Sequence, residues 1–573
     1  AGAALAMSEA SGSTPAWLLP SPKWPSHTRG SWHGLPLVSL ASSARLCPLQ
    51  VSSRPGVHTA SRIVTKADGG ALVGMLLKFP KDPGSQVYAA GFLGPLMLAL
   101  ALALAQAWSS SRSSRSSTNS WSSSAVDASG GSAVSTEARA DGAVTSATDE
   151  LAWLFLPAWC LCVAGDWLQG PYVYALYDAY GIQRADIAKL FVLGFSSSMV
   201  FGTYVGAWVD SIGRKRGCLL YCALYIFSCL TKHFSLFWVL ALGRVSAGIA
   251  TSLLFSAFEA WLVRQYKIKE SVSNSSDASS PDLGRLFGLM WLVNSLVAIG
   301  AGPAGEAAIG LLPFTDGPNG FHYGGMTAAF DLAIVLLIIG FSFIAFFWER
   351  DGKGANSKAP DAASSTPANN PGTAVAFLAR GVQEVRSDPM LLALMVIVTC
   401  FEASMYTFVF NWTPALVEGA AAQPSLGAVF ASLMLAYTSG SLCFRFLSSQ
   451  GRGWSAPSSL LRGVLLLSPF CLALPAFALS SLPSGSVERT ACVLFGFLAF
   501  EFCCGLYAPA MSAVKGSLVP EKLRSTIYST YRVPMNGAVL LVLLSGLSSA
   551  DTLSVAVGLL TVAAVVSFSI GSR

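Results

Sequence analysis

Six polar side chains stand in stretches of this chain that are otherwise apolar: Asp166, Arg244, Asn294, Glu402, Glu501 and Arg532. An ionisable group surrounded by hydrocarbon is costly and marks a functional site. Each arginine offers a rigid fork of N–H donors to the oxygens of an anion. Asn294, Gln169, Tyr172, Tyr507 and Tyr531 can complete such a shell with neutral donors. Asp166, Glu402 and Glu501 can neutralise the arginines while the site is empty, or carry a proton. A second constellation reads Gly206-Ala-Trp-Val-Asp210-Ser-Ile-Gly213-Arg214-Lys215-Arg216. Gly206 permits close helix approach and Gly213 a tight turn. Asp210 is placed to pair with Arg214 or with a neighbouring helix, a latch that can break. Glu259 counts to the same end of another apolar run, so it reads as part of a latch rather than as a ligand.

These groups need a scaffold, and composition says which. The chain has 573 residues, 53% hydrophobic and only 12% charged, with a net charge of +6 and a mean hydropathy of +0.56. Soluble domains are nearer a quarter charged. Runs of about 20 apolar residues match the thickness of a bilayer core. The chain is therefore expected to cross a membrane many times, in contact with lipid and with no nucleic-acid partner. Most of the 12 cysteines lie within apolar runs and read as small hydrophobes, Cys160/Cys162 and Cys503/Cys504 included. There is no pair of CxxC units, no Walker A loop, and only His233 and His322 beyond the N-terminal segment. No metal site, cofactor, direct use of ATP or enzymatic activity is expected, and the chain is read as a monomer.

Residues 1–87 carry eight Lys/Arg against three acidic residues and begin with Ala1 rather than Met. They read as a targeting segment, processed or incomplete at its start, or as a disordered tail. Residues 88–108 form one apolar span, and 109–150 a Ser-rich linker expected to stay unstructured. From Leu151, apolar spans fit twelve helices: 151–177, 187–209, 217–232, 235–262, 285–311, 326–348, 389–413, 425–447, 458–480, 490–513, 525–547 and 551–570. The Gly/Pro/Ser-rich interruption at 349–388 divides them into two sixes, 151–348 and 389–573, the layout of transporters built from repeated halves. Within it, 373–387 reads as a helix lying along the membrane surface. Trp261, Trp291 and Trp412, near span ends, read as interfacial anchors. Loops on one side hold 19 Lys/Arg, against Arg184, Lys189, Lys232 and Arg489 on the other. Both ends of the twelve-helix unit therefore belong in the cytoplasm. In repeated halves the six polar positions fall on corresponding helices, where a central site is expected.

The 206–216 string resembles the G-x-x-x-D-x-x-G-R-K-x signature of the major facilitator superfamily. Arg244-Val-Ser-Ala-Gly248 is similar to its fourth-helix motif, and Gly302-Pro303-Ala-Gly305 to a glycine–proline motif found in many of its exchangers. Five further strings resemble the eukaryotic molybdate-anion transporters of that superfamily: Gly165-Asp166-Trp167-Leu168-Gln169-Gly170-Pro171-Tyr172; Leu254 to Trp261; Phe401-Glu402 with Phe408-Val409-Phe410-Asn411-Trp412-Thr413-Pro414; Glu501 to Pro509; and Tyr531-Arg532-Val533-Pro534. The resemblance covers residues 151–570. It implies an all-α bundle of twelve helices plus one N-terminal span, carrying molybdate, a tetrahedral dianion, by alternating access. It suggests the cell surface, while the basic N-terminal segment leaves an organelle membrane open. Sulfate, another oxyanion, a small organic anion, or a receptor that binds without transport all remain open on the residues alone.

Overall fold

The computed structural model describes residues 83–121, 134–273, 283–349, 381–420, 424–450, 455–520 and 524–570. The segment 1–82 and most of the interruption at 349–388 lie outside the described residues. Backbone polar groups in hydrocarbon must be satisfied within their own segment, so an apolar chain of this kind folds into helices. They are α1 (Pro83–Trp121), α2 (Val134–Trp167), α3 (Val173–Ala179), α4 (Arg184–Ile212), α5 (Arg214–Thr231), α6 (Phe237–Ser273), α7 (Leu283–Ile309), α8 (Thr327–Phe347), α9 (Pro389–Gly419), α10 (Leu426–Ser448), α11 (Pro457–Ser481), α12 (Val487–Leu518), α13 (Arg524–Leu544) and α14 (Ser549–Val566). Two short antiparallel strands, β1 (Thr315–Asp316) and β2 (His322–Tyr323), lie between α7 and α8. Among the described residues, ten helices are long and apolar enough to cross a membrane. The other expected spans are covered by α2 with α3, by α5, and by α13.

The ends of the helices follow local chemistry. Asp388 caps α9 by accepting from the Met390 N–H, with Pro389 in the first turn, where a missing N–H costs nothing. Ser425, Ser486 and Ser548 cap α10, α12 and α14 in the same way. Between α4 and α5 the chain reverses at Gly213 with φ +98°, a conformation that side chains rarely adopt. That is the tight turn expected of the basic loop.

Two expectations fail here. The first span, 151–177, is not continuous: α2 ends at Trp167 and α3 begins at Val173. Pro171 has no N–H to donate and its ring crowds the preceding turn, so residues 168–172 form turns instead. The 109–150 linker is also largely helical, since α1 runs on to Trp121 and α2 starts at Val134. Helix formation from 134 is anchored at its far end by ion pairs, Asp149 to Arg285 at 3.0 Å and Glu150 to Lys269 at 2.8 Å.

Packing follows three cores, one in each group of helices and a third, with Tyr177, Phe191, Phe330 and Phe410, that joins them through α3 and α4. Around α2 and α5–α8, Phe155, Trp159, Phe258, Trp261 and Trp348 stack together, with the Trp261 and Trp348 rings 3.6 Å apart. Around α9–α14, Phe401, Phe408, Phe497, Phe500 and Tyr507 do the same. Trp261 and Trp412 are thus buried and not interfacial, whereas Trp291 is exposed. Height along a helix placed all three near a membrane surface, but helix rotation decided which face each one took. Outward-facing positions such as Phe346, Phe470 and Leu541 are large, apolar and mostly exposed, as the lipid-facing surface of a bundle must be. The extra helix α1 lies on α10 and α12. Gly91 fits against Leu494 and Leu498, Ser439 donates to Pro95 O at 3.1 Å, and Gln106 donates to Leu442 O at 2.7 Å.

Candidate functional site

A cavity of 590 Å³ lies between the two groups of helices. Its wall comes from α4, α5 and α6 on one side and α9 and α13 on the other, and it holds Arg244, Arg532 and Glu402. Arg244 is seated by small neighbours: a side chain at Gly194 would press on its guanidinium. Its Nε donates to Leu190 O at 3.2 Å, and the guanidinium sits 4.6 Å from the centre of the Phe191 ring, a cation–π contact. Arg532 stands opposite, on α13, and is exposed to the cavity. Among the described residues neither guanidinium is paired with a carboxylate. Glu402, the one acidic lining residue, is held by Lys515 of α12, with Nζ 3.3 Å from Oε1.

The remaining polar lining escaped the sequence reading: Ser198, Tyr225, Thr251, Ser252, Ser256, Tyr406 and Asn536. Helical spacing was the available signal. Thr251, Ser252 and Ser256 follow Arg244 on one face of α6, and Asn536 lies four residues after Arg532. Ser198 and Ser252 pair across α4 and α6 at 3.2 Å.

Other predicted residues turn elsewhere. Asp166 stands behind the wall, accepting a hydrogen bond from the Tyr225 hydroxyl. Asn294 accepts from Trp167 Nε1 at 3.1 Å, Gln169 donates to Gly165 O at 3.0 Å, and Tyr531 donates to Leu391 O at 3.0 Å. Tyr507 is stacked on Phe401 at 3.7 Å, and Glu501 is buried on α12 away from the lining. None of these six reaches the cavity wall. Of the latch residues, Lys215 donates to Ala345 O and Trp348 O at 2.8 and 2.6 Å, closing the carbonyl end of α8. Glu259 is half-buried on α6, away from the cavity wall, and Arg214 begins α5. The surroundings of Gly206 and the side chain of Asp210 lie outside what is described.

At the end remote from the Gly213 turn, the two groups of helices are bolted together. Arg184 of α4 reaches Glu418 at 3.1 Å, Asn411 at 2.8 Å and Ser549 at 2.8 Å, on α9 and α14. Tyr172 donates to Glu306 at 3.4 Å, and the same carboxylate oxygen accepts from the Gly427 N–H at 3.0 Å. Between these bolts and the cavity, Phe191 meets Phe410 edge-on at 5.3 Å and Phe195 meets Tyr406 at 5.4 Å. The cavity is thus sealed above by aromatic rings and then by polar links.

A multi-pass helical membrane protein with a polar cavity between two helix groups has the architecture of a transporter. Residues 126–504 match the family profile MFS_5, described as "Sugar-tranasporters, 12 TM". The fold is similar to crystal structures of the nucleoside transporter NupG (TM-score 0.52, 11% identity, 73% of this chain and 98% of that one) and of a bacterial homologue of the iron transporter ferroportin in an inward-facing state (TM-score 0.53, 13% identity, 74% and 99%). In sequence the chain is 33% identical to a molybdate-anion transporter of Danio rerio over 397 residues, covering 67% of this chain and 76% of that protein. Proteins of the same name from Takifugu rubripes (30% over 393 residues, 67% and 76%) and Xenopus tropicalis (30% over 377 residues, 65% and 74%) are similar to it as well. The chain belongs to the molybdate-anion transporter family, within the major facilitator type of fold.

Proposed function

We propose that this protein carries molybdate across a membrane by alternating access, with Arg244 and Arg532 as the groups that bind the dianion. The observation that carries this reading is the convergence of two guanidinium groups, from different halves, on one cavity without a carboxylate on either. An unpaired charge at the wall of a protein cavity costs more than one that an anion partners. A neutral sugar, which the profile's description names, leaves that cost in place. The tetrahedral oxyanion suits two planar donor forks, and the hydroxyls of Tyr225, Thr251 and Ser256 with the Asn536 amide line the same cavity, each now donating to an oxygen of the protein that an anion would have to replace.

In this reading the two halves are 151–348 and 389–573, with the basic loops and both ends of the bundle in the cytoplasm and the Arg184 end outside. The plasma membrane is the proposed location. The arrangement corresponds to a state closed outside, with Glu402 held by Lys515 and not by either arginine. Proton coupling through Asp166, Glu402 or Glu501 belongs to the same proposal. Sulfate is nearly isosteric with molybdate, and a receptor that does not transport uses the same scaffold. Uptake of labelled molybdate in cells lacking their own carriers, with sulfate as competitor, tests all three. Saturable uptake that resists sulfate supports the proposal, efficient competition points to a general oxyanion carrier, and no uptake by correctly inserted protein removes transport.

The outer bolt yields a separate expectation. Arg184→Ala removes three side-chain hydrogen bonds at a partly exposed position, worth about 1–2 kcal/mol together after solvent screening. The outside-closed state should lose about tenfold in relative population. Labelling of a Ser198→Cys probe by a thiol reagent that cannot cross the membrane, added outside, should rise accordingly. An unchanged labelling rate would show that Arg184 does not hold the outer end.

A further inference from the structure

We propose that Lys515 is a specificity-determining residue: by pairing with Glu402 at the wall of the cavity, it keeps the charge of the two arginines uncancelled and sets the site for a dianion rather than a monoanion. This inference rests on the cavity being the anion site.

The charged residues that line the cavity are Arg244, Arg532 and Glu402. Alone they sum to a single positive charge, which suits a monoanion. Glu402 does not stand alone, since Lys515 Nζ lies 3.3 Å from its Oε1, with both side chains largely buried. The ammonium is also placed over the Tyr528 ring, 5.6 Å from its centre, a contact that steadies it against α13. Lys515 itself does not line the cavity, so it acts through Glu402 and not by touching the anion. With the pair formed, the wall presents two net positive charges. Behind the wall, Asp166, engaged by the Tyr225 hydroxyl, and Lys232, near enough to Arg244 for the two charges to interact, are of opposite sign and leave that sum unchanged. An anion with two negative charges is then matched in charge, while a singly charged one leaves a guanidinium unpaired.

The chemistry supplies a probe. Perrhenate is tetrahedral and close to molybdate in size, but carries one negative charge in place of two. Competition between them therefore reads the charge of the site with shape held nearly constant. In cells expressing the full chain, uptake of labelled molybdate would be measured against increasing perrhenate, with the amount of protein in the membrane recorded for every variant. Lys515→Met keeps the length of the side chain and removes its charge. The preference for molybdate over perrhenate should fall about tenfold, the effect of one charge a few ångströms behind the wall. Glu402→Gln should move the preference in the opposite direction, and Lys515→Met with Glu402→Gln should return it to the original value.

A purely structural role for the pair lowers uptake of both anions without moving their ratio, so a constant ratio in the variants overturns the proposal. If Lys515→Met does not reach the membrane, Glu402→Gln alone decides, because its ratio must rise. Arg244→Ala and Arg532→Ala separate this inference from the reading beneath it. Loss of uptake in both with an unmoved ratio in the Lys515 and Glu402 variants removes only the role of Lys515. Normal uptake in both removes the cavity as the anion site.

Discussion

Uptake of molybdate should fall at least a hundredfold when Arg244 and Arg532 are both replaced by alanine, with the protein still inserted in the membrane. Each guanidinium faces the same cavity from a different half, and a hydrogen bond to a charged group contributes about 1.5–3 kcal/mol. Two such groups lost together correspond to about 3–6 kcal/mol, before counting their shared attraction for one anion. The fold should survive, because Arg532 makes no ion pair among the described residues and Arg244 bonds only a backbone oxygen, Leu190 O. Arg532 is exposed to the cavity and Arg244 only half-buried, so neither removal leaves a buried charge without its partner. Single Arg→Lys changes keep the charge but not the fork, so each is expected to weaken binding by about tenfold, chiefly as a raised KM. Uptake within twofold of the original in the double variant, at equal surface abundance, would place the anion somewhere else.

The next largest effect is expected from Gly302→Val. A side chain at Gly302 runs into the carbonyl oxygen of Gly427, and its Cβ falls 3.1 Å from that of Ala431. The approach is reciprocal, since a side chain at Gly427 meets the Gly302 carbonyl and falls 2.7 Å from the Tyr172 hydroxyl. Here α7 and α10 touch backbone to backbone, next to the Tyr172–Glu306–Gly427 link. Small residues at helix crossings in membranes serve this close packing, and overpacking one typically costs about 1–3 kcal/mol. That cost falls on the outside-closed arrangement alone if the outer ends separate elsewhere in the cycle. Gly302→Val should therefore reach the membrane, lose more than tenfold of its transport, and become more reactive at a Ser198→Cys probe from outside. Normal transport in this variant would mean that the crossing does not need to close this tightly.

The two predictions differ in how much of their basis is legible in the linear chain. Arg244 and Arg532 stand out because a charge inside a long apolar run is conspicuous at any rotation of the helix. The Gly302-Pro303-Ala-Gly305 string is visible as a motif, but nothing in it names Gly427 as the partner, which lies on a different helix in the other half. Arg184 read simply as one of four basic residues on the less basic side. Its three partners on α9 and α14 come from positions 411, 418 and 549, distant in sequence, so no local pattern joins them. Lys515 likewise read as a loop charge until α12 proved long enough, running to Leu518, to carry it beside Glu402.

The sequence by itself determined that the chain crosses the membrane as a helical bundle, where most spans run, that a glycine turn joins α4 to α5, and which charges sit deep in it. Those properties depend on the transfer of residues from water to hydrocarbon and on backbone sterics, both local quantities. The tertiary structure alone decided which deep polar groups share a cavity. Asn294, Gln169, Tyr172 and Tyr531 are the same kinds of residue as those of the wall, yet none of them lies on it, and each is turned to a partner elsewhere in the protein. Hydropathy fixes how deep a residue lies, but its direction is the rotation of a helix about its axis. That rotation is set by the packing of every neighbouring helix at once.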